Sequence, residues 1–248
     1  MSCCSILGIP IEVGNRFKLF SKCASLVGNG GVICTPNPII LSNSVENASL
    51  RRALLAADLC IPDGSGLLPF LRRVDRNAAT LPGIELGKML VNQKRDLTLG
   101  IVGAKQGIAE RAFSSLASEA RDLRPAFLLN GYDTPLSVFL AALEKEKPDL
   151  CFVCLGSPRQ ELLMQALRAY SKKTVFVGLG GSLDVYAGSI PRAPRAVRAL
   201  HLEWLYRMCR EPRRFRDLPI LLRFPFLCTK YREENNKPTK NGAVRRKN

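Results

Sequence analysis

The chain has 248 residues, of which 46% are hydrophobic and 23% are charged, so it can bury a core of α/β size and is not an intrinsically disordered chain. Its net charge of +16 is uneven: residues 192–248 carry 16 Lys or Arg against 5 Asp or Glu, a net +11, which leaves +5 for residues 1–191. One histidine and nine scattered cysteines argue against a histidine-based metal site and a disulfide framework, and indicate a reducing compartment.

Strands and helices alternate along the first 190 residues. The predicted strands cover 31–34, 59–61, 97–102, 126–129, 149–155 and 174–178. The predicted helices cover 44–57, 83–93, 107–121, 135–146 and 158–170. This alternation is typical of an α/β fold with a mostly parallel, Rossmann-like sheet and helices on both faces. Cys151 and Cys154 fall in an apolar predicted strand, three positions apart, so their side chains are expected on opposite faces and not in a shared metal or redox site.

The sequence divides into three segments. Residues 1–191 are expected to form the main domain, 192–232 a basic helical C-terminal appendage, and 233–248 a disordered tail. In the appendage Val197, Leu200, Trp204 and Met208 recur at helical spacing, with arginines on the other faces. The apolar run at 218–228 is about half a membrane span.

Basic, apolar and aromatic residues mixed in this way favour binding at the surface of an anionic membrane. Two alternatives stay open. The apolar stripe of the first helix could pack on the core, and the aromatic side chains could stack on RNA bases.

Polar, glycine-rich loops follow five of the predicted strands. They cover 35–37, 62–64, 103–107, 156–160 and 178–182. Because parallel strands bring their carboxyl ends to one edge of the sheet, these loops are expected to converge on one ligand-binding crevice.

The order of the motifs resembles the WecG/TagA/CpsF family of bacterial glycosyltransferases. The motifs that carry the resemblance are TPNP, IPDGSG, LPGIEL, LGSPRQE and EWLYR followed by EPRR, spread over about residues 5–220. The resemblance implies transfer, with inversion, of an N-acetylmannosamine-type sugar from UDP to a polyprenyl-diphosphate-linked N-acetylglucosamine (GlcNAc), in bacterial surface glycan synthesis. It also implies a protein held peripherally on the cytoplasmic face of the membrane.

The resemblance further implies roles for individual residues. Asp63 matches the catalytic base, although an Asp at this position could instead cap the next helix. Thr35 and Asn37 are expected to contact the donor, with a simple turn role as the alternative for Asn37. Gln160 is expected to contact the sugar or the diphosphate. Further donor-binding candidates are Ser157, Arg159, Gly180, Gly181 and Asp184.

The sequence contains no Asp-x-Asp motif, so neither a metal ion nor another cofactor is expected, and arginines must meet the charge of the diphosphate. The family usually has an arginine where this chain has Thr80. Arg76 or arginines of the appendage would have to replace it. The candidates for binding the acceptor or a diphosphate are Arg76, Arg207, Arg213, Arg214 and Arg216.

Other assignments stay open at this level. The chain could transfer a different UDP-hexose, or it could bind a UDP-sugar without turnover. A basic RNA-binding protein is the alternative from another class, although no nucleic-acid partner is expected. The expected partners are the UDP-sugar, the lipid-linked acceptor, the membrane surface and, as a possibility, a second copy of the chain.

Overall fold

A computed structural model describes residues 3–103, 105–120, 122–131, 134–200 and 202–236. The strands are β1 (Cys3–Ile6), β2 (Ile9–Glu12), β3 (Gly31–Cys34), β4 (Leu59–Cys60), β5 (Thr98–Gly103), β6 (Arg124–Leu129), β7 (Leu150–Cys154) and β8 (Val175–Gly178). The main-domain helices are α1 (Arg16–Ala24), α2 (Pro38–Glu46), α3 (Ala48–Leu55), α4 (Leu68–Leu71), α5 (Gly83–Val91), α6 (Ile108–Glu119), α7 (Leu136–Glu146), α8 (Arg159–Arg168) and α9 (Ser182–Tyr186). The appendage contains α10 (Arg195–Ala199), α11 (Glu203–Arg210) and α12 (Leu218–Asn236).

Strands β3 to β8 form a parallel sheet of order β4-β3-β8-β7-β5-β6 with helices on both faces, which confirms the predicted fold class. Successive residues of a strand enter opposite cores: Val32 and Cys34 pack on one side of the sheet and Ile33 on the other. Cys151 and Cys154 divide in the same way, so the prediction of two separate buried thiols is confirmed.

The local structure differs from the prediction in two places. The predicted helix 44–57 is two helices, because Asn47 has an extended backbone and its side-chain oxygen accepts the Leu50 amide at 2.9 Å, which starts α3. The antiparallel hairpin β1-β2 and helix α1 were not predicted, although Ile9 and Ile11 are completely buried.

The appendage packs on the main domain. Phe224 of α12 is 2% exposed and meets Phe70 of α4 edge to face, with ring centroids 5.5 Å apart. The Tyr231 hydroxyl accepts a hydrogen bond from Arg51 of α3 at 2.8 Å. Phe224 therefore belongs to the core that lies between the sheet and helices α2, α3, α7 and α8.

The C-terminal segments differ in part from expectation. Helix α12 continues into the first four residues of the segment 233–248 that was expected to be disordered, and 237–248 lie outside the described residues. Among the helices of the described residues, none has the length and apolar character needed to span a bilayer.

Candidate active site

The carboxyl edge of the sheet carries the candidate site. Strands β3 and β8 are parallel neighbours in the sheet, so the loops that follow them meet at one point of this edge. Thr35 closes this point: its hydroxyl donates to the Gly178 carbonyl at 2.6 Å, and its side chain is buried. A polar residue placed there ties the two strand ends together.

Asp63 sits on the loop after β4 and faces a cavity. Its backbone amide donates to the Pro36 carbonyl at 3.0 Å, so this loop is fixed to the loop after β3. Gly64 adopts φ +88°, a conformation that favours glycine, and the turn there brings the chain into the short 3₁₀ helix 65–67. No side chain caps that helix, so the capping alternative for Asp63 is not seen.

Burial raises the pKa of the Asp63 carboxyl to about 6. Arg207 opposes this shift by attraction, Glu203 adds to it by repulsion, and the backbone N–H groups of Gly83 and Gly64 donate to the carboxylate and lower the pKa. A carboxylate with a pKa of about 6 is ionised at neutral pH and is a stronger base than a solvated one.

Asp58 is the acidic residue nearest to Asp63 along the chain. It lies at the other end of β4, where it accepts the Val32 amide at 2.8 Å and pairs with Arg168 at 3.9 Å. These contacts give it a structural role between strands.

The cavity in front of Asp63 has a volume of about 1020 Å³, enough for a large ligand or for parts of two. The appendage forms one wall through α10, α11 and α12, and the loops after β3 and β4 form the opposite wall. Arginines that line it are Arg16, Arg72, Arg195, Arg198, Arg207 and Arg214. Its carboxylates are Asp63, Glu85, Glu203 and Asp217.

One carboxylate that lines the cavity forms ion pairs with several arginines. Glu85 of α5 forms ion pairs with Arg16 of α1, with Arg192, and with Arg198 of α10 at 3.6 Å. Burial and the nearby charges of Arg192 and Arg198 lower the pKa of Arg16. The cluster joins the start of the appendage to the main domain and leaves an excess of positive charge at the cavity that Thr80 also lines.

Among the predicted donor-binding residues, Asn37 lines the cavity. Its side-chain oxygen accepts the amides of Ile39 and Ile40 at 3.0 Å each, so it caps α2 and leaves its NH₂ group as the part able to bind a ligand. Gln160 is 2% exposed and already paired: its amide nitrogen donates to Glu161 at 2.9 Å and its oxygen accepts the Gly180 amide at 3.0 Å.

The other predicted donor-binding residues lie at the same sheet edge, outside the cavity lining; they are Ser157, Arg159, Gly180, Gly181 and Asp184. Arg214 connects the two regions, because a Cβ on Gly181 would lie 3.8 Å from its guanidinium. Burial raises the pKa of Asp184, Glu211 raises it further, and Lys105 and Arg214 oppose the shift. Lys105 therefore belongs to this edge as well.

The predicted acceptor or diphosphate residues divide into two groups. Arg207 and Arg214 line the cavity, whereas Arg76, Arg213 and Arg216 are exposed outside it. Thr80 also lines the cavity. Sequence reasoning missed Arg16, Arg72, Arg195 and Arg198, since no local pattern shows which arginines of the chain reach the cavity. Within the described residues, no group of three or more His, Cys, Asp or Glu side chains is arranged to hold a metal ion.

A parallel α/β sheet that presents a partly buried carboxylate and several arginines at its carboxyl edge has the architecture of a group-transfer enzyme for anionic substrates. The model of the "Glycosyl transferase WecG/TagA/CpsF family" matches residues 4–238, so the chain belongs to this family and is a glycosyltransferase.

Curated relatives agree with this assignment. The chain is 30% identical to the N-acetylglucosaminyldiphosphoundecaprenol N-acetyl-beta-D-mannosaminyltransferase of Bacillus subtilis (strain 168), over 85% of this chain and 82% of that protein. Proteins of the same name from Bacillus spizizenii and Staphylococcus aureus (strain MW2) are 29% and 26% identical, over 87% and 88% of this chain and 85% and 89% of theirs.

Proposed function

We propose that this chain transfers an N-acetylmannosamine-type sugar from UDP to a polyprenyl-diphosphate-linked GlcNAc, with inversion and without a metal ion, in bacterial surface glycan synthesis. The observation that carries the proposal is the placement of Asp63, a partly buried carboxylate with a pKa of about 6, in a cavity lined by arginines. The names of the curated relatives support the acceptor and the sugar.

In the proposed reaction Asp63 accepts the proton of the attacking acceptor hydroxyl. The hydroxyl oxygen forms a bond to the anomeric carbon while the bond from that carbon to the UDP oxygen breaks, and the electron pair leaves with UDP. A single displacement of this kind inverts the anomeric centre and needs one base. Asn37, Lys105, Asp184 and Arg214 line the edge that we assign to the UDP-sugar.

Arginines take the place of a metal ion in this proposal. Arg207 and Arg214 face the cavity from the appendage, where they can neutralise negative charge that develops on the leaving diphosphate. Arg16 and Arg198, which line the same cavity as Thr80, supply the positive charge that the family usually draws from an arginine at position 80. Arg76 is exposed outside the cavity and is not needed for this role.

The appendage also supports peripheral binding at the cytoplasmic membrane face. Its exposed apolar side chains include Leu200, Leu205, Phe215 and Phe226, with exposed Arg213, Arg216 and Arg223 between them. Apolar and cationic side chains in one surface suit an anionic headgroup layer. This placement would bring a lipid-linked acceptor to the cavity from the membrane side.

The direct test is a transfer assay with purified protein, a panel of UDP-sugars and a short-chain lipid-diphosphate-GlcNAc acceptor. UDP-N-acetylmannosamine is expected to be the best donor, and EDTA is expected to leave the initial rate within about twofold because arginines carry the diphosphate charge. Loss of activity with EDTA that Mg²⁺ or Mn²⁺ restores would contradict the metal-free mechanism. Preference for another UDP-hexose would replace the proposed sugar.

The pH dependence of transfer should follow the Asp63 carboxyl. Since the base works as a carboxylate, kcat/KM is expected to fall as the pH drops through about 6. Glu203→Gln removes a neighbouring negative charge, which lowers the pKa of Asp63 and moves the acid limb of the profile to lower pH. The pH–rate profiles of the two proteins check this, and an acid limb that does not move would show that Asp63 does not govern it.

A further inference from the structure

Part of the cavity lining is apolar. From α12 it is lined by Leu218, Leu221 and Leu222, from α11 by Trp204, and from the opposite side by Ile39 of α2 and Leu68 of α4. These six residues define the apolar groove. Buried Phe224 forms its base on the α12 side, and the contact of Phe224 with Phe70 fixes α12 beside α4.

The groove opens toward solvent. Leu222 is 65% exposed and Trp204 is 42% exposed, so part of the apolar lining is in contact with solvent. Asp63, Arg72 and Arg207 line the same cavity as the groove. The cavity therefore offers charged and apolar surface to one ligand.

This combination of charged and apolar lining fits one kind of ligand. A nucleotide sugar is polar along its length and offers nothing that matches a leucine-lined channel. A diphosphate joined directly to a branched hydrocarbon matches both parts, because its phosphates meet arginines and its chain replaces water along the groove. The phosphates would then hold the reacting sugar next to Asp63.

We propose that the apolar groove binds the first isoprene units of the lipid acceptor, so that the enzyme recognises the hydrocarbon directly and not only through the membrane. The inference rests on the proposed function for the identity of the acceptor. Its consequence is that affinity depends on chain length even in the absence of a bilayer, and that this dependence ends when the groove is full.

The chain's single tryptophan provides a readout that needs no catalysis. Trp204 fluorescence is titrated, without vesicles or detergent and below the aggregation concentration, with inorganic diphosphate and with diphosphates that carry one, two or three isoprene units. The dissociation constant is expected to fall about tenfold for each of the first two units, because burying even part of five carbons is worth that much. A blue shift should accompany saturation as the hydrocarbon displaces water from the indole.

Substitutions in α12 test whether the apolar groove causes the dependence of affinity on chain length. Leu221→Ser and the more exposed Leu222→Ser are expected to reduce the gain per isoprene unit to about threefold or less, while the affinity for inorganic diphosphate stays within about twofold. Because Leu222 is largely exposed, its variant is not expected to unfold the protein. Phe226→Ser is the matched control: it is 78% exposed on the same helix, one turn further, and lies outside the cavity lining, so the full chain-length dependence should remain.

Two outcomes would overturn the inference. One is a dissociation constant that does not change with chain length, and the other is an equal effect of Phe226→Ser, which would indicate adsorption on the helix surface. Failure of the proposed function gives a different pattern, in which no sugar is transferred from any UDP-sugar while the diphosphates still bind with the expected chain-length dependence.

Discussion

Asp63→Asn is expected to lower kcat for sugar transfer by about two powers of ten or more. The amide keeps the shape of the carboxylate and one acceptor oxygen, but it cannot take a proton from the acceptor. Because the change acts on the chemical step, the dissociation constant for UDP should stay within about twofold. Steady-state kinetics with saturating substrates, together with a UDP titration, measure both quantities.

Asp58→Asn is the control for this experiment. It makes the same chemical change at the opposite end of the same short strand, where the carboxylate contacts the Val32 amide and Arg168. Transfer by this variant should remain close to that of the unmodified chain. If Asp63→Asn retained most of its activity, the base would have to be sought elsewhere in the cavity.

The sheet was predictable because its strands are buried on both faces. Parallel strands of this kind appear in a sequence as short continuous apolar runs, and CFVC and VFVG are such runs. The hairpin β1-β2 gave a weaker signal. Its turn places Leu7 and Gly8 at positive φ, and a leucine in that conformation lacks the Asn or Asp that usually marks a two-residue turn.

The site was predictable where it lies on loops and less so where it depends on packing between distant segments. Asp63 and Asn37 follow strands of the sheet, so their convergence follows from topology. Arg16 and Arg72 reach the cavity only because α1 and α4 fold beside the appendage, and no local pattern encodes that. For Gln160 the sequence motif predicted a contact with the donor. In the structure its side chain is buried and accepts a hydrogen bond from the Gly180 amide.

The appendage is better tested by point substitutions than by deletion. Removing residues 192–248 would take Arg192 and Arg198 away from Glu85 and expose the face of Phe70 that Phe224 covers. A truncated chain could then lose activity because its fold is weakened. Substitution of a single arginine on α11 tests the effect on catalysis while changing the stability of the fold little.

Arg207→Ala is therefore expected to reduce kcat/KM for transfer by about 100-fold or more, because it removes a cation that acts on Asp63 and lines the cavity proposed to hold the diphosphate. Loss of the Arg207 charge also raises the pKa of Asp63, so the acid limb of the pH profile should move to higher pH, opposite to the effect of Glu203→Gln. The cost in stability should be small, since the ion pair of Arg207 with Glu203 at 3.1 Å is an i,i+4 pair worth roughly 0.2–0.5 kcal/mol.

Two further variants on α11 make the result specific to the cavity. Arg207→Lys keeps the charge but loses the planar fork that binds two phosphate oxygens, so it should recover part of the rate and return the acid limb toward its original pH. Arg210→Ala removes an equal charge from the same helix, where Arg210 stacks on Tyr206 at 5.6 Å and does not line the cavity, so it should leave soluble-acceptor kinetics within about twofold. Equal losses in Arg207→Ala and Arg210→Ala would mean that the general positive charge of the appendage, and not a contact in the cavity, controls transfer.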